Sequence, residues 1–259
     1  MGLSTRLGSV MSHSDVGLLP TLSAGRFTKY LAEASGDTDP ALDLYRWNGE
    51  TSSALFEDIG VVEVALRNSI HEQLTLAFGA AWYSKAELFD DETRAVISRA
   101  WSQNHISDLP QPVQPGKLVS TLTFGFWTTL LSRGSHSRGV PPFDQKLSYD
   151  ELLWKPSLHK AFPGSTGARA SVLDVATLVR HARNRVAHHQ ALAWGVPIIG
   201  HIDKVTGHTR RLGISAAHAA VLELASFLDP GLSVWLSANT KAPGCISLCP
   251  IPNSPTLRL

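Results

Sequence analysis

With 259 residues, 43% of them hydrophobic and 17% charged, the chain has the composition of an ordinary soluble globular protein and enough length to bury a core. Its formal net charge of +1 excludes a globally basic surface, so any RNA-binding surface must be local. With only two cysteines, the chain is not predicted to be a disulfide scaffold. It has no apolar run of about 20 residues that would predict a membrane span, and no signal-peptide pattern. Together these features predict a cytoplasmic protein.

Hydrophobic periodicity predicts helices in the first third of the chain, after a flexible leader at residues 1–21. A short helix is predicted at 24–35, and a second at 40–56, where Pro40 opens it. The clearest pattern lies at 55–78, where apolar side chains recur at three- and four-residue steps and predict a core-facing stripe. The stripe consists of Ile59, Val62, Leu66, Ile70 and Leu74.

Another face of the helix predicted at 55–78 carries a polar row. Glu63, Arg67 and His71 stand four residues apart, and Glu63 before Arg67 is the favourable orientation for a helix ion pair. We interpret the row either as a surface salt-bridge row or as a polar support that packs against a later helix. Gly79 is predicted to end the helix.

The middle of the chain is harder to assign. A polar helix is predicted at 90–106, a proline-rich loop at 109–116 and an exposed segment rich in Gly, Ser and Pro at 133–148. Between them, residues 117–132 have apolar side chains spaced by four, which favours a helix. The β-branched and aromatic residues there, together with Gly125, leave a strand as the alternative.

The last third is again predicted to be helical. The helix at 169–189 has a regular apolar stripe, and Ser171 with Asp174 resembles a capping box at its start. The remaining predicted elements are a short helix at 149–161, a connection at 194–213 with a small hairpin around 205–207, a helix at 214–228 and a disordered tail at 239–259.

Residues 183–189 (RNRVAHH), near the end of that helix, carry the most informative side chains. His188 can hold or release a proton near neutral pH, and Arg183 can bind two phosphate oxygens. Such a pair can cleave RNA without a metal: a base takes the proton of a ribose 2′-hydroxyl, and the oxyanion attacks the phosphorus. Asn184 could orient the imidazole. The other basic residues that supply a local positive field are Arg180 and Arg185, and His189 could carry the proton in place of His188.

The spacing of the pair constrains how it could act. On a regular helix Arg183 and His188 point roughly 140° apart, at about 100° per residue. Either the helix ends or bends inside the motif, or groups from two copies converge in one cleft across a two-fold axis. The competing interpretation is a solvated helix face with cations placed near its C-terminal dipole.

The sequence lacks the residue patterns of other common catalytic and cofactor sites. Cys245 and Cys249 have no second pair, so no zinc site is predicted. We find no phosphate loop, nucleophile elbow or dinucleotide fingerprint. The sequence therefore predicts no metal and no cofactor.

Three blocks in this order resemble the Abi-like (abortive infection) proteins of the HEPN superfamily. The first is 63–68 (EVALRN), the second is 122–127 (LTFGFW), and the third is 183–189, which matches the R-x4-6-H motif in its Arg-Asn form. The resemblance covers roughly residues 22–238 and implies an all-α fold, a HEPN-like helical bundle with additional helices and a flexible C-terminal tail.

The resemblance also implies a function. It assigns Arg183 and His188 as the catalytic pair of a metal-independent endoribonuclease, with Glu63, Arg67 and Asn68 as secondary candidates. It further implies RNA as substrate, a homodimer, a role in phage defence or as a toxin, and an antitoxin or other neutralising partner. The alternative is a non-catalytic helical module that binds RNA, a nucleotide or a partner protein.

Overall fold

The structure is a computed structural model that describes residues 24–103, 115–139, 141 and 143–259. The predicted leader and most of the loop predicted at 109–116 lie outside the described residues. The fold is mostly α-helical, as predicted, with two small antiparallel hairpins. The helices are α1 (Ala24–Glu33), α2 (Thr38–Phe78), α3 (Asp91–Gln103), α4 (Pro115–Thr121), α5 (Phe124–Thr129), α6 (Arg169–Ala187), α7 (Ile214–Leu228), α8 (Pro230–Asn239) and α9 (Ala242–Ser247). The hairpin strands are β1 (His136–Ser137) with β2 (Gln145–Lys146), and β3 (Val196–Ile202) with β4 (Thr209–Leu212).

The two helices predicted at 40–56 and 55–78 are one helix, α2, of 41 residues. It begins where the Asp37 side chain accepts a hydrogen bond from the Asp39 amide, and Pro40 lies in its first turn, where no amide donor is needed. It ends at Gly79, which has a φ of +89°. At about 1.5 Å per residue, α2 is roughly 60 Å long.

Burial of α2 along its whole length explains why it does not break. The predicted stripe from Ile59 to Leu74 is fully buried, and buried residues continue back to Ala41. Around it pack α1, α6, α7 and α9. No helix in the described part of the chain, α2 included, is long and apolar enough to cross a membrane.

The single helix predicted at 117–132 is instead two short helices, α4 and α5. Thr123 is extended between them, and its carbonyl accepts the first hydrogen bonds of α5, from the amides of Phe126 and Trp127. The Trp127 indole donates to the Leu122 carbonyl at 3.2 Å, so the break is stabilised by a buried side chain. The alternative of a strand is wrong, and the end of the predicted loop (residues 115 and 116) belongs to α4.

The segment predicted to be exposed at 133–148 forms the hairpin β1–β2, which is partly anchored. Ser137 is buried, and its hydroxyl accepts a hydrogen bond from Arg94 of α3 at 2.8 Å. After the hairpin, the short helix predicted at 149–161 is a π-helical turn (Asp150–Trp154) followed by a 3₁₀ turn (Leu158–Ala161).

Helix α6 begins earlier than its predicted capping box. It starts at Arg169, after Ala168, so Ser171 lies inside the first turn and not at the cap. The Arg169 guanidinium donates to Asp150 at 3.1 Å and to the Leu131 carbonyl at 2.5 Å. Tertiary contacts of an arginine, and not a side-chain cap, therefore fix this helix start. The predicted apolar stripe of α6 (Val172, Val175, Val179, Ala182, Val186) is buried, as expected.

The predicted disorder of residues 239–259 is wrong, because this segment packs on the domain. The Trp47 indole donates to the Cys245 carbonyl at 2.7 Å, and Leu257 is buried. The Arg258 backbone donates to the Ala193 carbonyl and accepts from the Ile214 amide. Proline-rich composition suggested a loose tail, but these backbone hydrogen bonds connect it to residues distant in sequence.

Candidate functional site

Two of the predicted site residues meet where α2 crosses α6. Arg183 donates from Nε to Glu63 Oε2 at 3.2 Å, and both side chains are about one quarter exposed (27% and 21%). The contact takes Glu63 away from the ion pair predicted with Arg67, which does not form among the described residues. Of the polar row, Glu63 has the predicted supporting role against the motif helix α6, whereas His71 contacts Trp82 instead.

The rest of the polar row differs in its surroundings. The Arg67 Nε is buried with no hydrogen-bond partner in the described part of the chain, whereas Asn68 is exposed. His71 accepts a hydrogen bond at Nδ1 from the Trp82 indole at 3.0 Å. Burial lowers the pKa of His71 below its ordinary value, and the indole N–H requires an unprotonated Nδ1.

We expect the protein to lose stability in acid because of His71. Its pKa is lower in the folded than in the unfolded chain, so the unfolded state binds more protons below the ordinary pKa of about 6.5. This contribution to stability is complete above that pH and is lost as the pH falls through the folded-state pKa. In urea unfolding between about pH 7.5 and 5, His71→Gln should reduce the slope, by at most about 1.4 kcal/mol per pH unit. An equal reduction with His208→Gln, which changes an exposed hairpin residue, would contradict this assignment.

The motif helix ends inside the motif, at Ala187, with His188 and His189 in a Schellman turn. The Gln190 amide donates to the Arg185 carbonyl and the His189 amide to the Val186 carbonyl, both at 2.9 Å. His189 has a φ of +52°, at the position where glycine is usual. A left-handed residue with a side chain costs about 1 kcal/mol, and such strain occurs at functional sites.

The helix end exposes the two histidines but does not join the predicted catalytic pair. His188 is exposed, while Arg183 turns toward α2, and no hydrogen bond links these two side chains in the described structure. Asn184 is exposed, and its carbonyl accepts from the His188 amide at 3.0 Å. Arg180 points elsewhere and donates to Thr128 of α5 at 3.3 Å.

His189 and Arg185 line a pocket of about 770 Å³ between α1, α2 and the end of α6. Two more cations line it from α1, Arg26 and Lys29. Lys29 Nζ lies 6.0 Å from the centre of the Trp194 ring. The motif therefore divides between two places: Arg183 at the contact with Glu63, and Arg185 with His189 at the pocket.

Arg185 is half-buried in the pocket wall and is held by oxygen acceptors. It donates from Nε to the Ala191 carbonyl at 2.7 Å and from Nη1 to Gln190 at 3.3 Å. Burial lowers its pKa, and the nearby Arg211 adds to this effect. The floor of the pocket is Tyr30, whose pKa is raised by burial, so its hydroxyl stays protonated.

The C-terminal segment (239–259) contacts the pocket wall through Glu33. Glu33 accepts hydrogen bonds from the Trp194 indole at 3.0 Å and from the hydroxyls of Ser254 and Thr256. Burial raises the pKa of Glu33, but these hydrogen bonds outweigh it, and the pKa lies below its usual value. The carboxylate therefore stays charged and fixes the Trp194 ring.

Sequence reasoning missed the pocket residues outside the motif. Arg26 and Lys29 lie on one face of α1, a spacing that could have been noticed. Trp194 follows the motif by five residues, but nothing in the sequence shows that it returns to α1. Among the described residues, no group of three His, Cys, Asp or Glu side chains could hold a metal ion.

Comparison of the chain with protein-family models, curated proteins and solved structures finds no match. Inferences about function therefore rest on the chain's own residues. The most specific of these are the Glu63–Arg183 contact, the exposed His188 and the basic pocket beside it.

Proposed function

We propose that this chain is a metal-independent endoribonuclease of the Abi-like HEPN type, active in phage defence or as a toxin. The observation that carries the proposal is the Glu63–Arg183 contact at 3.2 Å. It brings together one residue each from the first and third sequence blocks, which are 120 positions apart. The adjacent basic pocket gives RNA a local positive surface on a chain of nearly neutral net charge.

Arg183 is the phosphate-binding group of the proposed site. Only its Nε is engaged by Glu63, so the two Nη groups remain to bind phosphate oxygens. Glu63 acts as a positioning residue, because it fixes the guanidinium plane against α2. The cation then stabilises the negative charge that develops on the phosphorane oxygens in the transition state.

His188 is the proposed proton-transfer group, and its position at the helix end leaves it open to a substrate. It takes the proton of the 2′-hydroxyl or returns one to the 5′-oxygen of the leaving nucleotide. Asn184 lies one turn before it, on the same side of α6. His189 lines the pocket and His188 does not, so His188 is the better placed of the two histidines for a substrate outside the pocket.

A homodimer is part of the proposal, because one chain leaves Arg183 and His188 apart. In the proposed dimer, two copies related by a two-fold axis meet at the C-terminal ends of their α6 helices. Arg183 of one copy then lies near His188 of the other. RNA lies in the shared groove. An antitoxin or other neutralising partner would act by covering this groove.

The second candidate is a non-catalytic module that binds RNA, a nucleotide or a partner protein. The observation in its favour is the same ion pair: Glu63 partly neutralises Arg183 and competes with a phosphate for it. A cleavage experiment separates the two candidates.

RNA cleavage by the purified protein in excess EDTA tests the proposed function. We expect cuts that leave 2′,3′-cyclic phosphate ends, because the attacking group is the 2′-hydroxyl and no metal-bound water takes part. A DNA strand of the same sequence lacks that hydroxyl and should remain intact. If the RNA is also intact, or if its fragments end in a 3′-hydroxyl, the ribonuclease proposal fails and the binding module is preferred.

A further inference from the structure

The pocket between α1, α2 and the end of α6 combines positive charge with aromatic walls. Arg26, Lys29 and Arg185 bring the charge, and among the described residues no carboxylate side chain lines the pocket. Its volume of about 770 Å³ lies within the range of small-molecule sites, roughly 300–1,000 Å³. The chemistry that fits such a lining is an anion joined to a flat ring.

Arg185 supplies the strongest reason to expect an anion. The guanidinium is half-buried, has no carboxylate partner in the described part of the chain, and lies near a second cation, Arg211. A partly buried charge without a counter-ion is unfavourable, and an anionic ligand would compensate it. Two of its five N–H donors are used by protein oxygens, which leaves donors for a phosphate.

The aromatic side chains provide surfaces for a ring. Tyr30 makes edge contacts with Tyr45 and with Trp194, at ring-centre distances of 5.3 and 4.9 Å. Tyr30 is buried, whereas the rings of Tyr45 and Trp194 are partly accessible and line the pocket. Aromatic side chains that accept a stacked base are the usual recognition surface for single nucleotides.

Polar groups in the wall from α2 could contact the edge of a base. Asn48 accepts from the amides of Leu192 and Ala193 at 2.7 and 3.0 Å, so its oxygen is occupied while its NH₂ group remains a donor. The Ser52 hydroxyl is buried without a hydrogen-bond partner among the described residues. Both side chains line the pocket.

We propose that this pocket binds a nucleotide, either free or as one unit of an RNA strand. Its base lies against Tyr45 and Trp194, and its phosphate binds Lys29 and Arg185. The strained His189 completes the wall and is adjacent in sequence to His188, so a strand held in the pocket passes the proposed cleavage site. The pocket proposal does not depend on cleavage and is tested by binding.

Calorimetric titration of the protein with the four nucleoside monophosphates, and with adenosine, tests the pocket. We expect at least one monophosphate to bind, and adenosine to bind at least about tenfold more weakly than AMP if AMP is a ligand, because it lacks the charge-assisted contacts. Lys29→Glu should weaken monophosphate binding about tenfold or more and leave adenosine binding unchanged. Lys204→Glu makes the same charge change at an exposed hairpin turn and should leave all affinities unchanged.

His189→Gly is not expected to destabilise the fold, because glycine adopts a φ of +52° without strain. It should keep or raise the unfolding midpoint and still weaken nucleotide binding severalfold. A short single-stranded DNA, which the 2′-hydroxyl chemistry cannot cleave, serves as the strand probe. Monophosphate binding as tight as strand binding identifies a free nucleotide as the ligand. Strand binding alone, weakened by Lys29→Glu, identifies a unit of a nucleic-acid strand.

The pocket proposal is overturned if no monophosphate and no strand binds, or if Lys29→Glu and Lys204→Glu weaken binding equally. Its outcome is independent of the cleavage experiment. Binding without cleavage would support the pocket proposal and contradict the ribonuclease proposal. Cleavage that is insensitive to both pocket variants, with no binding of monophosphates or of the strand, would support the ribonuclease proposal and contradict the pocket proposal.

Discussion

The Arg183→Ala and His188→Ala proteins should each cleave RNA about 10²–10⁴-fold more slowly than the wild type. Loss of His188 removes the proton-transfer group, and loss of Arg183 removes the cation that stabilises the transition-state charge. The measurement is the initial rate of cleavage of a labelled RNA in excess EDTA. Circular dichroism and the urea midpoint of each variant show whether the fold is kept.

The matched control for this pair is His208→Ala, which removes an exposed histidine from the hairpin turn. It should cleave at the wild-type rate. Glu63→Gln keeps a hydrogen-bond acceptor for Arg183 and should cost less than Arg183→Ala. If the His188 and His208 variants cleave equally fast, His188 does not carry the proton.

Mixing the two inactive chains tests the composite site. A dimer of one Arg183→Ala chain and one His188→Ala chain has one intact site if the pair comes from two copies, and none if it comes from one. Random pairing makes half of the dimers mixed, so co-expression should restore roughly a quarter of the wild-type rate. A mixture as inactive as its parents would place both residues of the site in a single chain.

Asp58→Ala should destabilise the fold by roughly 2–5 kcal/mol. Asp58 is 3% exposed, and its Oδ2 lies 2.5 Å from the Thr240 hydroxyl and 3.2 Å from His218 Nε2. These contacts join α2, α7 and the C-terminal segment. Without the carboxylate, the buried His218 and the partly buried Thr240 lose this partner and keep only their mutual contact at 3.2 Å. A buried polar group left unsatisfied costs about 1–3 kcal/mol. The free energy of unfolding in urea measures the loss.

Asp43→Ala is the control, since Asp43 lies on the same helix in an exposed pair with Arg46. Its effect should stay within about 0.5 kcal/mol, as for most exposed ion pairs. A loss of similar size in the two variants would mean that the buried contacts of Asp58 do not stabilise the fold.

Local patterns in the sequence predicted much of the fold. Helices α1, α6 and α7, the hairpin around 205–207 and the end of α2 at Gly79 follow from apolar spacing, turn chemistry and glycine. The predictions of helix boundaries and caps failed where contacts with other side chains, and not the local pattern, set the boundary. The break before α5 depends on the Trp127 side chain. Helix α6 starts at residue 169, as predicted, but contacts of Arg169 with Asp150 and Leu131 fix this start, and the predicted capping box at Ser171 does not.

The candidate site divides in the same way. The sequence by itself determined the residue types: an arginine and two histidines near a helix end, and a polar row on another helix. Only the tertiary structure decided that Glu63 pairs with Arg183, that His189 and Arg185 line one pocket, and that Trp194 and the C-terminal segment return to α1. Helical periodicity is a local property of the chain, so it can be read from neighbouring residues. Which faces meet depends on how all buried surfaces pack at once, and no short stretch of sequence contains that information.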